Sequence, residues 1–507
     1  MKPSIRHCIV LLACLLAAAC SRLAEEFDDD THAEAAHVSV VEQVPGPTPF
    51  IVNLALRLDD FANLDHVSYT IAAKPGSFSK PVAVTYTRAR LERTGAWHAT
   101  EKRLAFAVFG LYADYQNSVT LTAHFRDTST HVERLTVAAP AYAGPAAVYN
   151  TPQVRTARTA TVSPGFDYMV VQNSTVSPAV LDTDGNLRWV AAGPGNSMSS
   201  MFDEDGFIVG SATTPELFRL EFNGSYGARP LASTRYTNFH HDLTPGKTGL
   251  LAELDGVEGG VPKLESILSE ITRTGEVIKE WDMAAIFRNA MQAGGDDPSN
   301  FVRDGADWFH MNSAIYVAAD DSLLVSSREN FVVKLDYTTG KIKWLLGDTS
   351  KHWYVDYPSL RALALQLKSG KAPIGQHSLS IADNGELLLF NNGLGSVNQP
   401  AGTSPGSTRD FSTPSRYTID EAARTAAETW AYVPTPPIYS DICSSVYEPG
   451  IANHYLITYS VAAARTVTKL VGLDNKGKIA FDYEYPANLC AVAFYSKALD
   501  LANLTLK

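Results

Sequence analysis

The stretch Asp336-Tyr337-Thr338-Thr339-Gly340-Lys341-Ile342-Lys343-Trp344 reads as a polar turn ending on a glycine, then a short strand ending on an aromatic. The pattern returns as DTDGNLRW (182–189), EFNGSYG (221–227), TRTGEVIKEW (272–281), TIDEAARTAAETW (418–430) and LDNKGKIAF (473–481). A repeat of this kind marks a chain built from copies of one supersecondary unit. The spacing is irregular, with about six units in residues 146–507, and each leaves room for about four short strands. Four-stranded units punctuated by such turns predict an all-β fold, a six-bladed β-propeller around a central channel. An open β-solenoid or two stacked sandwiches are the alternatives.

Before the repeats, residues 41–145 carry the runs FIVNLAL (50–56), VSYTI (67–71), AVTYT (83–87), LAFAVF (104–109) and VTLTAHF (119–125). Period-two alternation between turn signals over about 100 residues predicts a small N-terminal β-sandwich. AYAGPAA (141–147) marks a linker after it. Residues 21–40 are acidic and Ala-rich and read as a tether. Residues 1–20 read as a lipoprotein-type signal peptide. A basic start (Lys2, Arg6, His7) precedes an apolar run too short to span a membrane, and LAAAC (16–20) offers Cys20 as a lipid acceptor. This predicts export to the periplasm and an N-terminal lipid anchor in the outer membrane, with cleavage to a soluble periplasmic protein as the alternative. No later stretch is long and apolar enough to cross a membrane.

At 507 residues the chain exceeds one ordinary hydrophobic core, and 45% hydrophobic with 19% charged residues is a globular composition. A net charge of -12 makes nucleic acid a poor partner, so an anionic substrate needs a local cationic pocket. Beyond the leader only Cys443 and Cys490 remain, and in an oxidising compartment they can form one disulfide. There is no Cys-x-x-Cys motif. Three insertions interrupt the repeats: 283–306 and 349–373, each with a helical run (MAAIFRNAMQAG, YPSLRALALQLKSG), and the loop 394–414. Such insertions commonly build a lid or binding wall.

Three segments share one layout, in which a His opens a short strand, a polar turn follows, and an apolar strand comes next. They begin at His241, His310 and His377, and each precedes a repeat ending at Trp281, Trp344 or Trp430. Equivalent innermost-strand positions converge at one end of the channel, so the three imidazoles are expected to meet. Arg328 ends the strand after His310. It pairs either with a neighbouring carboxylate or, as a fork, with sulfate or phosphate oxygens. Strand alternation puts Asn312 on the face of His310, where its amide can donate to the same anion, and turns His240 away from His241 as a supporting residue. Asp242 is a candidate to orient an imidazole.

The motifs NFHHD (238–242), DWFHMNS (307–313), SSREN (326–330) and GQH (375–377), in that order, resemble those of the bacterial aryl-sulfate sulfotransferases, and GLYADYQNSV (110–119) resembles the amino-terminal domain of that family. The resemblance runs over most of residues 230–395 and is poor in the final blades. It implies a six-bladed propeller behind an N-terminal β-sandwich, often homodimeric, that moves a sulfuryl group from a phenolic sulfate to a phenol acceptor by a ping-pong route. It implies His377 as the nucleophile, forming a sulfohistidine. His241 or His310 then serves as acid and base, and Arg328 is a further catalytic residue that compensates charge on the sulfuryl oxygens with Asn312. Asn312 and the supporting His240 are the candidate substrate-binding residues. No cofactor and no metal are expected. Three converging histidines could instead bind zinc or iron, against which stands the nearby Arg328 guanidinium. Other readings are a non-catalytic propeller that binds an anionic ligand, and an aryl sulfatase.

Overall fold

The structure, a computed structural model, describes residues 37–174, 178–193 and 197–507. The signal peptide, Cys20 and nearly all of the tether lie outside the described residues. Among the described residues no helix is long and apolar enough to cross a membrane.

Two sheets make the sandwich. One carries Val38–Pro45, Ile51–Leu58, Arg103–Phe109 and Trp97–His98 in that spatial order; the other carries Val82–Thr87, Leu64–Ile71, Tyr115–Phe125 and Thr130–Ala139. The alternation is literal in Tyr115–Phe125, where Val119, Leu121, Ala123 and Phe125 point inward and their neighbours outward.

Six further sheets of four or five strands follow in chain order, and these are the blades. The inner strands of a blade are buried on both faces, because each blade is flanked by two others. That is why Ser322–Ser327 reads as a continuous run of apolar and small residues, SLLVSS, without alternation. Each repeated motif is the hairpin between the third and fourth strands of a blade. The turn needs a left-handed residue, which Gly185, Gly224, Gly275, Gly340 and Gly477 supply at φ between +69° and +90°. The fifth copy lacks the glycine, and Arg424 takes φ +54° instead. The closing tryptophans latch blade to blade. The indole N–H of Trp189 donates to Phe222 O (3.0 Å), that of Trp281 to Tyr337 O (3.1 Å) and that of Trp344 to Glu421 Oε1 (3.0 Å), while Trp430 stacks on Tyr455 at 4.2 Å.

The ring closes through the chain end. Tyr495–Leu499 pairs with Tyr168–Gln172 as the innermost strand of the first blade, and Gln153–Thr156 adds an outer strand to the sixth. The last strand, Leu504–Leu506, leaves the propeller and pairs in parallel with Val82–Thr87 of the sandwich. A propeller running from 146 to 507 is therefore corrected at its end, since residues 504–506 belong to the first unit. The helix expected in 283–306 forms as Met283–Ala293, capped by the Asp282 side chain on Ala285 N–H. The run in 349–373 does not form one helix. It breaks into the turns His352–Val355 and Pro358–Arg361, and Gln366–Ser369 becomes a parallel edge strand on Thr425–Ala431. Pro358 starts a new turn there, and an open sheet edge outcompetes an unsupported helix.

The sandwich docks on the first two blades around Arg188, which is held by an ion pair within the first blade. Arg188 and Asp182 are both fully buried, 3.1 Å apart; Arg188 Nε and Nη2 also donate to Gly110 O, and the guanidinium lies 3.6 Å over the Tyr112 ring. Phe109 stacks on Phe222 at 4.2 Å beside it. Arg188→Ala leaves Asp182 buried without its counter-charge, so it should destabilise the protein by roughly 3–5 kcal/mol. The shift of the urea unfolding midpoint measures this, and an unshifted midpoint rules the weld out.

Candidate active site

The innermost strands of blades three, four and five each break near their candidate histidine. Register shifts fall between His240 and Leu243, between Met311 and Ser313, and between His377 and Ser380. His241 (φ +33°), His310 (+51°), Ser378 (+53°), Cys443 (+54°) and Ser444 (+79°) occupy left-handed backbone. Bulges re-aim side chains, and strain of about 1–3 kcal/mol per residue persists only where the surroundings enforce it. Here the bulges swing the imidazoles together.

His241 Nε2 lies 3.2 Å from His310 Nε2, and the ring centroids of His241 and His377 are 6.3 Å apart. The expectation that His240 faces away from His241 fails, because the bulge cancels the alternation. Their rings sit 4.3 Å apart, with His240 Nε2 2.9 Å from Glu265 Oε1 and His241 Nε2 3.3 Å from Glu265 Oε2. Asp242 does not orient an imidazole; its Oδ1 accepts the Leu243 N–H, 3.6 Å from Lys497 Nζ. Glu265, itself at φ +44°, takes that part.

His310 Nδ1 is 2.6 Å from Asp307 Oδ2, in line for a hydrogen bond, with Glu265 Oε2 2.7 Å away. Burial works against charge on His310, but Glu265 and Asp307 outweigh it and push its pKa up to about 9. The raised value means that the stability His310 contributes is fully present below 6.5 and is lost as pH rises through about 9. His241 goes the other way: burial and then the charge on His240 bring it down to about 3. At neutral pH the pair is thus an imidazolium donating from Nε2 to a neutral imidazole.

His377 is held by different means. Asn392 Nδ2 donates to Ser440 O and to Cys443 O, both at 2.8 Å, which leaves Asn392 Oδ1 as the acceptor facing His377 Nδ1 at 2.8 Å. The proton therefore sits on Nδ1, and Nε2 carries the lone pair, meeting the Cys443 N–H at 3.2 Å. Burial, then the neighbouring His241, hold His377 well below its ordinary pKa, so it is neutral. Cys443 and Cys490 form a disulfide, which ties the loop bearing that N–H to the segment just before the closing strand Tyr495–Leu499.

Asn312 donates from Nδ2 to Gln376 O (2.8 Å), while its buried Oδ1 has no hydrogen-bond partner. With His241, His377, Cys443, Tyr447 and Tyr495 it lines a small cavity of about 20 Å³. Arg328 is not among those lining residues. Its Nη2 donates to Glu329 Oε1 at 2.7 Å, the carboxylate pairing the sequence left open. Glu329, fully buried, accepts the Val397 and Asn398 N–H groups on its other oxygen, and Asn398 Nδ2 donates to Asp307 (2.7 Å). The loop 394–414 thereby braces both Arg328 and His310.

Glu265, Asp307, Asn392 and Glu329 carry no repeat signal. Asp307 and Glu329 left a trace, the first three residues before a singled-out histidine and the second directly after Arg328, while Glu265 shows only as a charge within Val261–Ile271.

A propeller with an Ig-like sandwich ahead of it and ionised and neutral imidazoles gathered at one end of its channel is, as a class, equipped for nucleophilic and acid–base chemistry. The chain belongs to the arylsulfotransferase family: the family model described as Arylsulfotransferase (ASST) matches residues 131–495, and the Arylsulfotransferase Ig-like domain matches 61–140. Among curated proteins it is similar to Arylsulfate sulfotransferase AssT of Escherichia coli O6:H1 (strain CFT073), 28% identical over 224 residues, covering 35% of this chain and 36% of the relative. It is also similar to the protein of the same name from Lelliottia amnigena, 25% identical over 321 residues, covering 50% and 52%. The chain thus spans about a third to a half of the length of these relatives. Among solved structures, the β-propeller domain of Cps50 (Swd1) from Myceliophteria thermophila is 12% identical with a TM-score of 0.35, covering 64% of this chain and 88% of that one.

Asn392→Asp sets a carboxylate against His377 Nδ1 and should raise the His377 pKa by a unit or more, read by NMR titration of the imidazole nitrogens. An unchanged titration rules out Asn392 as the group that fixes the tautomer.

Proposed function

We propose that the protein is an aryl-sulfate sulfotransferase working by a ping-pong route through His377. The observation that carries the reading is the His377 imidazole. It is neutral, fixed in one tautomer by Asn392, and turns the Nε2 lone pair toward a cavity shared with His241 and Asn312. The family and the named relatives support the substrate class.

In the first half-reaction His377 Nε2 attacks sulfur of a phenolic sulfate. The N–S bond forms, the S–O(aryl) bond breaks, and the phenolate takes the Nε2 proton of the His310–His241 pair. Release of the Cys443 N–H from Nε2 frees a donor for a sulfuryl oxygen, joined by an Asn312 amide N–H. Arg328 lies close enough to His310 and His377 that its charge disfavours ionisation of either, and it adds a positive field over the sulfuryl group. In the second half-reaction the acceptor phenol returns its proton to the pair and attacks sulfur. The S–N bond breaks and His377 is restored.

The Cys443–Cys490 disulfide supports an oxidising compartment, in keeping with export to the periplasm and a lipid on Cys20.

A chromogenic aryl sulfate with and without added phenol, beside His377→Ala, tests the reading. Phenol-dependent release with a sulfated phenol as product, lost in the variant by at least a thousandfold, is the expected result. Phenol-independent release identifies a sulfatase, and no release leaves an anion-binding propeller. The rate should also fall as pH rises through about 9, where His310 gives up its proton. Asp307→Asn removes one of the carboxylates that hold that proton, so it should move this limb to lower pH. A limb that stays in place assigns the ionisation elsewhere.

A further inference from the structure

Beside the sulfur-facing His377 lies a donor cluster that the sulfuryl chemistry does not require in full. His240 Nε2, His241 Nε2 and a Glu265 carboxylate oxygen all lie within 4.8 Å of one another. The contacts to Glu265 measure 2.9 and 3.3 Å. Ligand atoms at zinc bond lengths of 2.0–2.2 Å around a tetrahedral ion sit about 3.3 Å apart, so only small movements separate this arrangement from a coordination shell. Glu265 Oε2 is buried and accepts no aligned hydrogen bond, although imidazole nitrogens stand 2.7 and 3.3 Å from it. That oxygen, ion-paired with His310, keeps a lone pair for a cation.

The objection from a nearby guanidinium weakens, since Arg328 is paired with the buried Glu329 carboxylate at 2.7 Å, which offsets part of its field. The donors also differ from the three histidines that the sequence suggested. His377 is committed to Asn392 and Cys443, and His240 and Glu265 take its place. We propose that His240, His241 and Glu265 form a binding site for one borderline divalent cation of the zinc, cobalt or nickel kind. Two imidazoles and one carboxylate favour these over magnesium or calcium. The three side chains keep 12–17% exposure, which leaves a way in from the channel. His310 stands behind them with Nδ1 on Asp307, an arrangement that orients an imidazole beside a metal. Entry of the ion displaces the Nε2 proton of His240 and the proton held between His241 and His310. Binding does not depend on the proposed sulfuryl transfer. Its consequence does: an ion on His241 Nε2 occupies the nitrogen that completes the acid–base pair, and so it inhibits.

Cobalt(II) titration of the purified, chelator-stripped protein tests the site. Expected are one ion per chain, the intense visible absorption of four-coordinate cobalt, displacement by zinc, and proton release to the buffer. Affinity should fall at least tenfold in His240→Ala and in Glu265→Gln and stay unchanged in His377→Ala. No saturable one-to-one binding, or binding that persists in both variants, overturns the proposal. If either variant does not fold, the spectrum of the unmutated protein decides, and only the weak absorption of six-coordinate cobalt also overturns it. Zinc should then suppress aryl-sulfate turnover at least tenfold, with recovery on chelation; turnover indifferent to bound zinc overturns the inhibitory part. Metal-free protein without any turnover sinks the sulfotransferase reading and leaves the cation site standing.

Discussion

Everything in this molecule depends on a ring that must close on itself. Neighbouring blades are joined near the channel by polar bonds that run the full circle: Tyr495 OH to Ser200 O, Ser199 to His240 O, Thr244 to Ala314 O, Leu379 N–H to Ser313, Val446 N–H to Ser378, and Ser496 N–H to Ser445. All are buried or nearly so, and a buried polar group without a partner costs about 1–3 kcal/mol. Opening the ring at one seam strands donors and acceptors there. Tryptophan latches add a second attachment at the outer edge of four of the six seams, which further limits the freedom of the channel to change its bore.

A channel of fixed bore explains how strained residues can be tolerated. His241, His310 and Ser378 sit where an isolated strand would relax to negative φ. The seams deny that relaxation, because Ser378 holds Val446 and Ser199 holds the His240 carbonyl, while within the fourth blade Arg328 N–H holds the His310 carbonyl. The imidazoles therefore stay at distances where one proton can be shared and one lone pair exposed. The opposed ionisation of His310 and His241 follows from position: the first has two carboxylates against it, the second has other imidazoles and little water.

Repetition made the fold readable. Turn glycines and closing tryptophans recur because each performs the same job in the blades that carry it, and a sandwich strand such as Tyr115–Phe125 announces itself by alternation. The three histidines were readable for the same reason, as equivalents in register. What escaped was whatever the bulges altered. Alternation placed His240 away from His241, and a single positive-φ residue put it beside Glu265 instead. Glu265 and Asn392 reach the site from other strands and loops, with no local pattern to mark them. Arg328 could be read only as needing an anion; which one depended on Glu329, a neighbour whose other oxygen is claimed by a loop some 70 residues on. The edge strand Gln366–Ser369 was lost to a helical-looking composition, since a vacant sheet edge is a tertiary fact.

The path of the last residues has a consequence for how the protein is made. The first blade lacks its inner strand, and the sandwich sheet one of its edge strands, until Tyr495–Leu499 and Leu504–Leu506 arrive. Pairings that span more than 300 residues carry a high contact order and form late. A chain emerging from its N-terminus can complete the middle blades early, yet it exposes two unpaired edges until residues 495–506 are made, and such edges invite association with other chains. Holding those edges apart until the carboxyl end is delivered is the step on which the yield of native protein turns.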